Sequence, residues 1–336
     1  MTQFVSTSRS WADPGVTRFR DTDEFGPTLD AVAERLDISA TAVEKDYWVS
    51  EVLRVLVATF PEDFIFKGGT SLSKGYGIVE RFSEDIDVLV LPGNRGRGAV
   101  DKLMKAMGEA AAAGVQGEAS GVGGAESGRH RSFAVTYPAR REPTALIATS
   151  VLLEMGVRGG SHPHEDVVIG CLLRDTLDAA GTELGEYEDL APFEVRVLHP
   201  ARTLLEKLVH IHELANQLAA DEARPASPRS GRHFYDVHQL LGDDRVLTLL
   251  QNREQTLEVV ASIDEITQQF FGGLAGVSAR PDGGFATSPA FDPATSVSAR
   301  LRTAYELTMP ELYFGRDPLP SWDAICRRVA DHAALL

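Results

Sequence analysis

Cysteine is almost missing from this chain: Cys171 and Cys326 are the only two among 336 residues. So few, so far apart, they exclude a disulfide-built scaffold and a thiolate zinc site. Long apolar runs are missing as well. The greasiest stretch, residues 49–60, is broken by Glu51 and Arg54, far short of the roughly 20 apolar residues a membrane helix needs. The opening residues hold no apolar core of a signal peptide, so the expected location is the cytoplasm. Basic residues are in deficit, 33 against 49 acidic ones, and the formal charge is −16. Coating DNA through non-specific phosphate contacts needs the opposite balance and is excluded. Nucleic acid held in a local basic cleft is compatible with that charge, and so is a basic protein partner.

What is present is an ordinary globular composition, 43% hydrophobic and 24% charged, in a length that suits about two domains. The first ~25 residues are polar and read as a loosely attached arm. Helical patterning starts near Leu29. A second helix is predicted from the capping-box spacing of Thr41 and Glu44 through Trp48, Val52 and Leu56. Strands are predicted at 64–66 and 85–91, a helix at 99–113, and a glycine-rich loop at 117–128. Further strands are predicted at 133–137, 145–154 and 167–173. From Pro200 the chain turns helical, at 200–218, 234–241, 247–271 and 324–335, with loops at 222–232 and 273–299. The expected architecture is α/β over residues 1–198 and helical over 199–336.

The chemistry concentrates in two neighbouring blocks, Phe66-Lys67-Gly68-Gly69-Thr70-Ser71-Leu72-Ser73-Lys74 and Arg81-Phe82-Ser83-Glu84-Asp85-Ile86-Asp87-Val88. A strand running into two glycines, two hydroxyls and a short helix offers backbone N–H groups beside Thr70 and Ser71 as an anion cradle. A P-loop is a poor match, because its second glycine would fall on Lys74 or Ser73. On a strand, Asp85 and Asp87 project from one face. Carboxylates that close repel unless a cation lies between them, and hard oxygen ligands near a phosphate cradle suit Mg²⁺. A third metal carboxylate is expected from a neighbouring strand, with Glu154 ahead of Glu194 and Asp166.

In the helical half, Lys207 borders the stripe of Leu204, Leu208 and Ile211, where a lysine either reaches solvent or meets an anion. Asp236 borders the stripe of Phe234, Val237 and Leu241. His162, His164 and Asp166 could ligate a metal, but Pro163 and the glycine-rich lead-in favour a solvated loop, while His210 and His212 lack the His-Glu-x-x-His spacing and read as a polar helix face. Arg224, Arg229 and Arg232 lie in a Pro/Ser/Gly loop that either guides RNA phosphates or is simply solvated.

Together with Val43-Glu44-Lys45-Asp46-Tyr47-Trp48 and the pairs Glu206-Lys207 and Tyr235-Asp236, these blocks resemble the AbiEii family. Its members are nucleotidyltransferase-like toxins of type IV toxin–antitoxin and abortive-infection systems. The likeness runs from residue 43 to 241, with a weaker echo at 305–322. It implies a polymerase-β-like nucleotidyltransferase core with a mixed sheet, followed by a helical domain that completes the NTP and acceptor cleft. It also implies transfer of a nucleotide from an NTP with Mg²⁺ or Mn²⁺, a tRNA 3′ end as acceptor, arrest of translation, and an AbiEi-like antitoxin as partner. Carried over by position, Asp85 and Asp87 bind metal, with Glu154 as the candidate third ligand. Lys67, Gly68, Gly69, Thr70, Ser71, Lys74 and Arg81 hold the nucleotide, Lys207 contacts phosphate, and Asp236 is a further essential acid. Two other readings use the same residues: transfer of phosphate or nucleotide to a protein or small-molecule hydroxyl, and a catalytically silent partner of a basic antitoxin. Ser83 would share the face of both aspartates in a strand extended that far, and a phosphate on it would compete for the metal.

Overall fold

The computed structural model describes residues 17–83, 85–144, 147–182, 187–271 and 280–336. Most of the expected polar arm lies outside the described residues, as do Glu84, the start of the expected strand at 145 and the first part of the 273–299 loop. The chain folds as two compact units. The first comprises Met1–Thr70, Glu84–Val157 and Asp166–Val197, the second Ser71–Ser83, Arg158–Glu165 and Leu198–Leu336.

Seven strands among the described residues build one sheet: β1 (Phe64–Lys67), β2 (Asp85–Val90), β3 (Ala119–Gly121), β4 (His130–Thr136), β5 (Ser150–Gly156), β6 (His164–Ile169) and β7 (Phe193–Leu198). Their order is β3-β4-β5-β2-β1-β7-β6. The sheet is mixed. β1 pairs with β2, β3 with β4 and β4 with β5 antiparallel, whereas β2–β5 and β1–β7 run parallel. β2 and β5 both alternate at their site-bearing ends. Ile86, Val88, Val151, Leu153 and Met155 are buried, and Asp85, Asp87, Leu152 and Glu154 between them are half-exposed. Such alternation is what a sheet with one covered and one open face requires.

Helix α1 (Phe25–Leu36) packs on α2 (Ala40–Thr59), which is buried from Thr41 to Leu56 with few interruptions. The N-cap of α2 is Ser39, whose hydroxyl accepts from the Ala42 N–H. Because the helix starts ahead of the predicted box, Thr41 and Glu44 fall inside its first turns and bond a distant loop instead. α4 (Arg97–Gly114) follows as expected, and α3 (Gly68–Lys74) joins β1 to the second unit.

Other boundaries moved. The predicted strand at 167–173 is split, since β6 ends at Ile169 and Cys171 caps α5 (Leu172–Ala179). His164 opens β6 rather than lying in a loop, and part of the glycine-rich loop is the short strand β3. β7 was not expected, although Phe193-Glu-Val-Arg-Val-Leu198 alternates with period two.

In the second unit lie α6 (Pro200–Ala220), α7 (Gly231–Leu240), α8 (Asp244–Gln251), α9 (Arg253–Phe271), α10 (Ser296–Leu312) and α11 (Trp322–Asp331). One helix was predicted for 247–271; a break at Asn252 makes it two. Phe234, Phe291, Tyr305 and Trp322 form the aromatic centre, with ring centroids 4.7 to 5.9 Å apart in the contacting pairs. The echo at 305–322 has a structural role here. Leu312 and Phe314 exchange backbone hydrogen bonds with Phe82 and Glu80, which holds the Arg81 segment in place. No helix among the described residues is long and apolar enough to cross a membrane.

Candidate active site

In the pairing register of the sheet, Asp87 stands opposite Lys67 on one side and Glu154 on the other, and Asp85 stands opposite Leu152. Residues in register on adjacent strands share a face. Lys67, Asp85, Asp87 and Glu154 therefore emerge together, all half-exposed. Glu194 and Asp166 sit on β7 and β6, two and three places from β2, so the structure brings Glu154 to the pair and not these two. Among the described residues no group of three His, Cys, Asp or Glu side chains is drawn tightly around one point. The donor set, carboxylate oxygens on one open face, nonetheless has the chemistry that Mg²⁺ takes.

The glycine turn lies directly against this face. Gly68 has φ +80°, and a Cβ built there would come within 2.1 Å of Asp87 Oδ2. Glycine is thus required twice, for the backbone angle and for the close approach. The helix α3 begins at Gly68 itself, so Gly69, Thr70 and Ser71 form its first turn instead of a loop before it. First-turn N–H groups point out of a helix end. Thr70 and Ser71 are buried, and Thr70 Oγ1 donates to the Asp85 carbonyl at 2.5 Å, tying the turn to β2. Lys74 is half-buried at the far end of α3. β2 begins at Asp85, so Ser83 lies outside it and the alternation argument does not extend to that hydroxyl.

Residues 44–48 read as part of a helix and of a family resemblance, and the structure shows what each of them holds. Glu44 accepts from the N–H groups of Arg140 and Arg141 at 2.6 and 2.9 Å. Lys45, 1% exposed, donates to the carbonyls of Ala148 and Ser150. Asp46 accepts from the Leu172 N–H at 2.7 Å, and Tyr47 donates to Asp189. Trp48 stacks on Tyr137 with centroids 5.1 Å apart. One turn and a half of α2 thus holds four separate stretches of chain. The Lys45 contact to Ser150 pins the first residue of β5, the strand that carries Glu154.

In the second unit the hub is Asp236, which is 0% exposed. Arg81 grips it bidentately at 2.6 and 2.7 Å, and Lys207 Nζ reaches Oδ2 at 2.8 Å. Burial alone would raise the carboxyl pKa. The charges of Arg81 and Lys207 outweigh it and hold the group well below the usual carboxylate range. Asp236 is therefore a positioning residue for two cations. Arg81 is 1% exposed, while the Lys207 side chain retains 11% exposure.

A carboxylate pair on a central strand, abutted by a glycine turn, is an arrangement that can hold a divalent ion beside a phosphate. The family model for the nucleotidyl transferase AbiEii toxin, type IV toxin–antitoxin system, matches residues 53–328, and the chain belongs to that family. Among solved structures the chain is similar to MenT4, a nucleotidyltransferase toxin from Mycobacterium tuberculosis H37Rv, with 19% identity and a TM-score of 0.44. That likeness covers 92% of this chain and 98% of the other. None of the curated proteins matches.

Proposed function

We propose that this toxin transfers a nucleotide from an NTP to the 3′ end of an RNA, specifically a tRNA, and so arrests translation in the cytoplasm. The observation that carries the reading is the register of Asp87 against Glu154, with Gly68 packed on the Asp87 carboxylate. Asp85, Asp87 and Glu154 would hold Mg²⁺ or Mn²⁺, which supplies charge stabilisation for displacement at the α-phosphorus when bound. The first turn of α3, with Lys67 and Lys74, would orient the triphosphate. In the second unit, Lys207 would be the cation that meets an anion, held ready for that task by Asp236, while Arg81 locks Asp236 in place. A basic, AbiEi-like antitoxin suits the −16 charge of the chain.

The test is incubation of purified protein with total RNA and each NTP, labelled at the α or the γ position, with and without divalent ion. The α label is expected on the RNA 3′ end, with the ion required. Label from the γ position would indicate a phosphotransferase, and no label on any acceptor a silent binding partner. Asp85→Asn and Asp87→Asn are expected to abolish transfer without lowering the melting temperature. Wild-type turnover by either would remove the metal assignment.

A further inference from the structure

We propose that His130 is the platform on which the last base of the RNA acceptor stacks. This inference rests on the nucleotidyltransferase reading above, and every residue it uses lies in the first unit. One row of residues crosses four strands in register: Lys67 on β1, Asp87 on β2, Glu154 on β5 and Ser132 on β4. Partners in register share a face, so Ser132 belongs to the same side of the sheet as the carboxylates. Phe133 and Arg131 point the other way, toward α4, where Phe133 lies against Gly108 and Arg131 bonds Asp101. His130, two residues before Ser132, shares the carboxylate side and is exposed.

The row has a direction. Gly68 follows Lys67 and packs on the Asp87 carboxylate, so the turn that would take the triphosphate stands at the β1 end. In an in-line displacement the attacking oxygen approaches the α-phosphorus from the side opposite the leaving pyrophosphate. With the pyrophosphate at the β1 end, the acceptor enters from the β5 and β4 end. Neighbouring strands are about 4.8 Å apart. An acceptor whose 3′ oxygen meets the carboxylates lays its ribose across Glu154 and its base over β4.

The ring of His130 stands at that place. Phe133 is the only other ring in β3, β4 and β5, and it faces α4. Ser120, Ser132 and Ala134, the neighbours on the open side, are small and leave room for a flat base. His130 Nε2 meets the Ser132 hydroxyl at 3.4 Å, which leans the imidazole along β4 toward the Glu154 row. The backbone is fixed as well, because His130 and Glu126 exchange hydrogen bonds at 2.9 and 3.0 Å around the turn at Gly128. A ring held in this way has little freedom to lose when a base settles on it. Unpaired RNA ends are commonly held by aromatic side chains, histidine among them. Stacking uses the face of the base and tolerates any base, so His130 fixes where the end lies and not which base it carries.

The experiment measures transfer of α label to a tRNA whose terminal nucleotide carries its base, and to the same tRNA with that base removed. His130→Ala is expected to raise the KM for intact tRNA about tenfold, in line with the loss of one stacked base. The KM for the NTP and the melting temperature should stay unchanged. Removing the base should raise the wild-type KM by a similar factor and leave His130→Ala unaffected, since both changes delete one contact. His130→Phe, which keeps a ring, should restore the KM; His130→Gln, which keeps only a polar tip for Ser132, should not. An unchanged tRNA KM in His130→Ala overturns the inference, as does an equal penalty for base removal in wild type and variant. So does rescue by Gln but not by Phe. In each of these cases the wild type still labels RNA and only the platform falls. A wild type that labels no RNA removes the nucleotidyltransferase reading itself, and this inference with it.

Discussion

Gly68 in the first unit and Asp236 in the second show how single residues set their surroundings. At Gly68 the backbone is left-handed and the nearest carboxylate oxygen lies where a Cβ would go. Gly68→Ala is expected to cost about 1–3 kcal/mol as local strain. It should also displace Asp87, so transfer falls by far more than stability, which a melting curve and the α-label assay measure together. Asp236 was expected to be an essential acid, and its pairing with Arg81 and Lys207 gives its charge a signature in pH. Its folded-state pKa is depressed, so its contribution is fully present above the unfolded carboxylate pKa of about 4 and is lost as pH falls below that value. Urea midpoints from pH 7 to 3 should show wild type losing its advantage over Asp236→Asn at the acid end. A constant gap across that range would show that the carboxylate charge contributes nothing. Asp85 and Asp87 were legible in the sequence because strand alternation is local; the partners of Asp236 were not, since Arg81 lies 155 residues away.

At the scale of elements, α2 and β5 are coupled through Lys45. Its ammonium holds the carbonyls of Ala148 and Ser150, and four residues on from Ser150 comes Glu154. Lys45→Met keeps the length of the side chain and removes both hydrogen bonds. The expected loss is about 1.5–3 kcal/mol, the range for hydrogen bonds made by a charged donor. If the clamp positions Glu154, the Mg²⁺ concentration for half-maximal transfer should rise several-fold in Lys45→Met. A core variant of equal destabilisation, such as Leu53→Ala, should leave that concentration unchanged. An equal shift in both would reduce the clamp to general packing. Pattern reading missed this coupling because a lysine inside an apolar helix advertises no partner; only the fold supplies one.

At the scale of the whole molecule, the second unit draws on three separate stretches of chain. A fragment of residues 199–336 lacks Arg81, which leaves Asp236 with Lys207 alone, and lacks the backbone partners of Leu312 and Phe314. Breaking a buried ion pair in this way costs about 3–5 kcal/mol, a large part of the stability of a small domain. The fragment is expected to unfold without a cooperative transition in denaturant, and fusing residues 71–83 ahead of it should restore one. By itself the sequence determined the mixed α/β character, the aspartate pair on one strand face, the glycine turn and the helix faces. Each of these follows from a period or a steric rule acting within a few residues. Tertiary structure alone decided which strand stands beside Asp87, which cations neutralise Asp236 and what residues 44–48 hold. Those pairings join segments distant in sequence, and only the closing of the sheet and the packing of the helices selects among them.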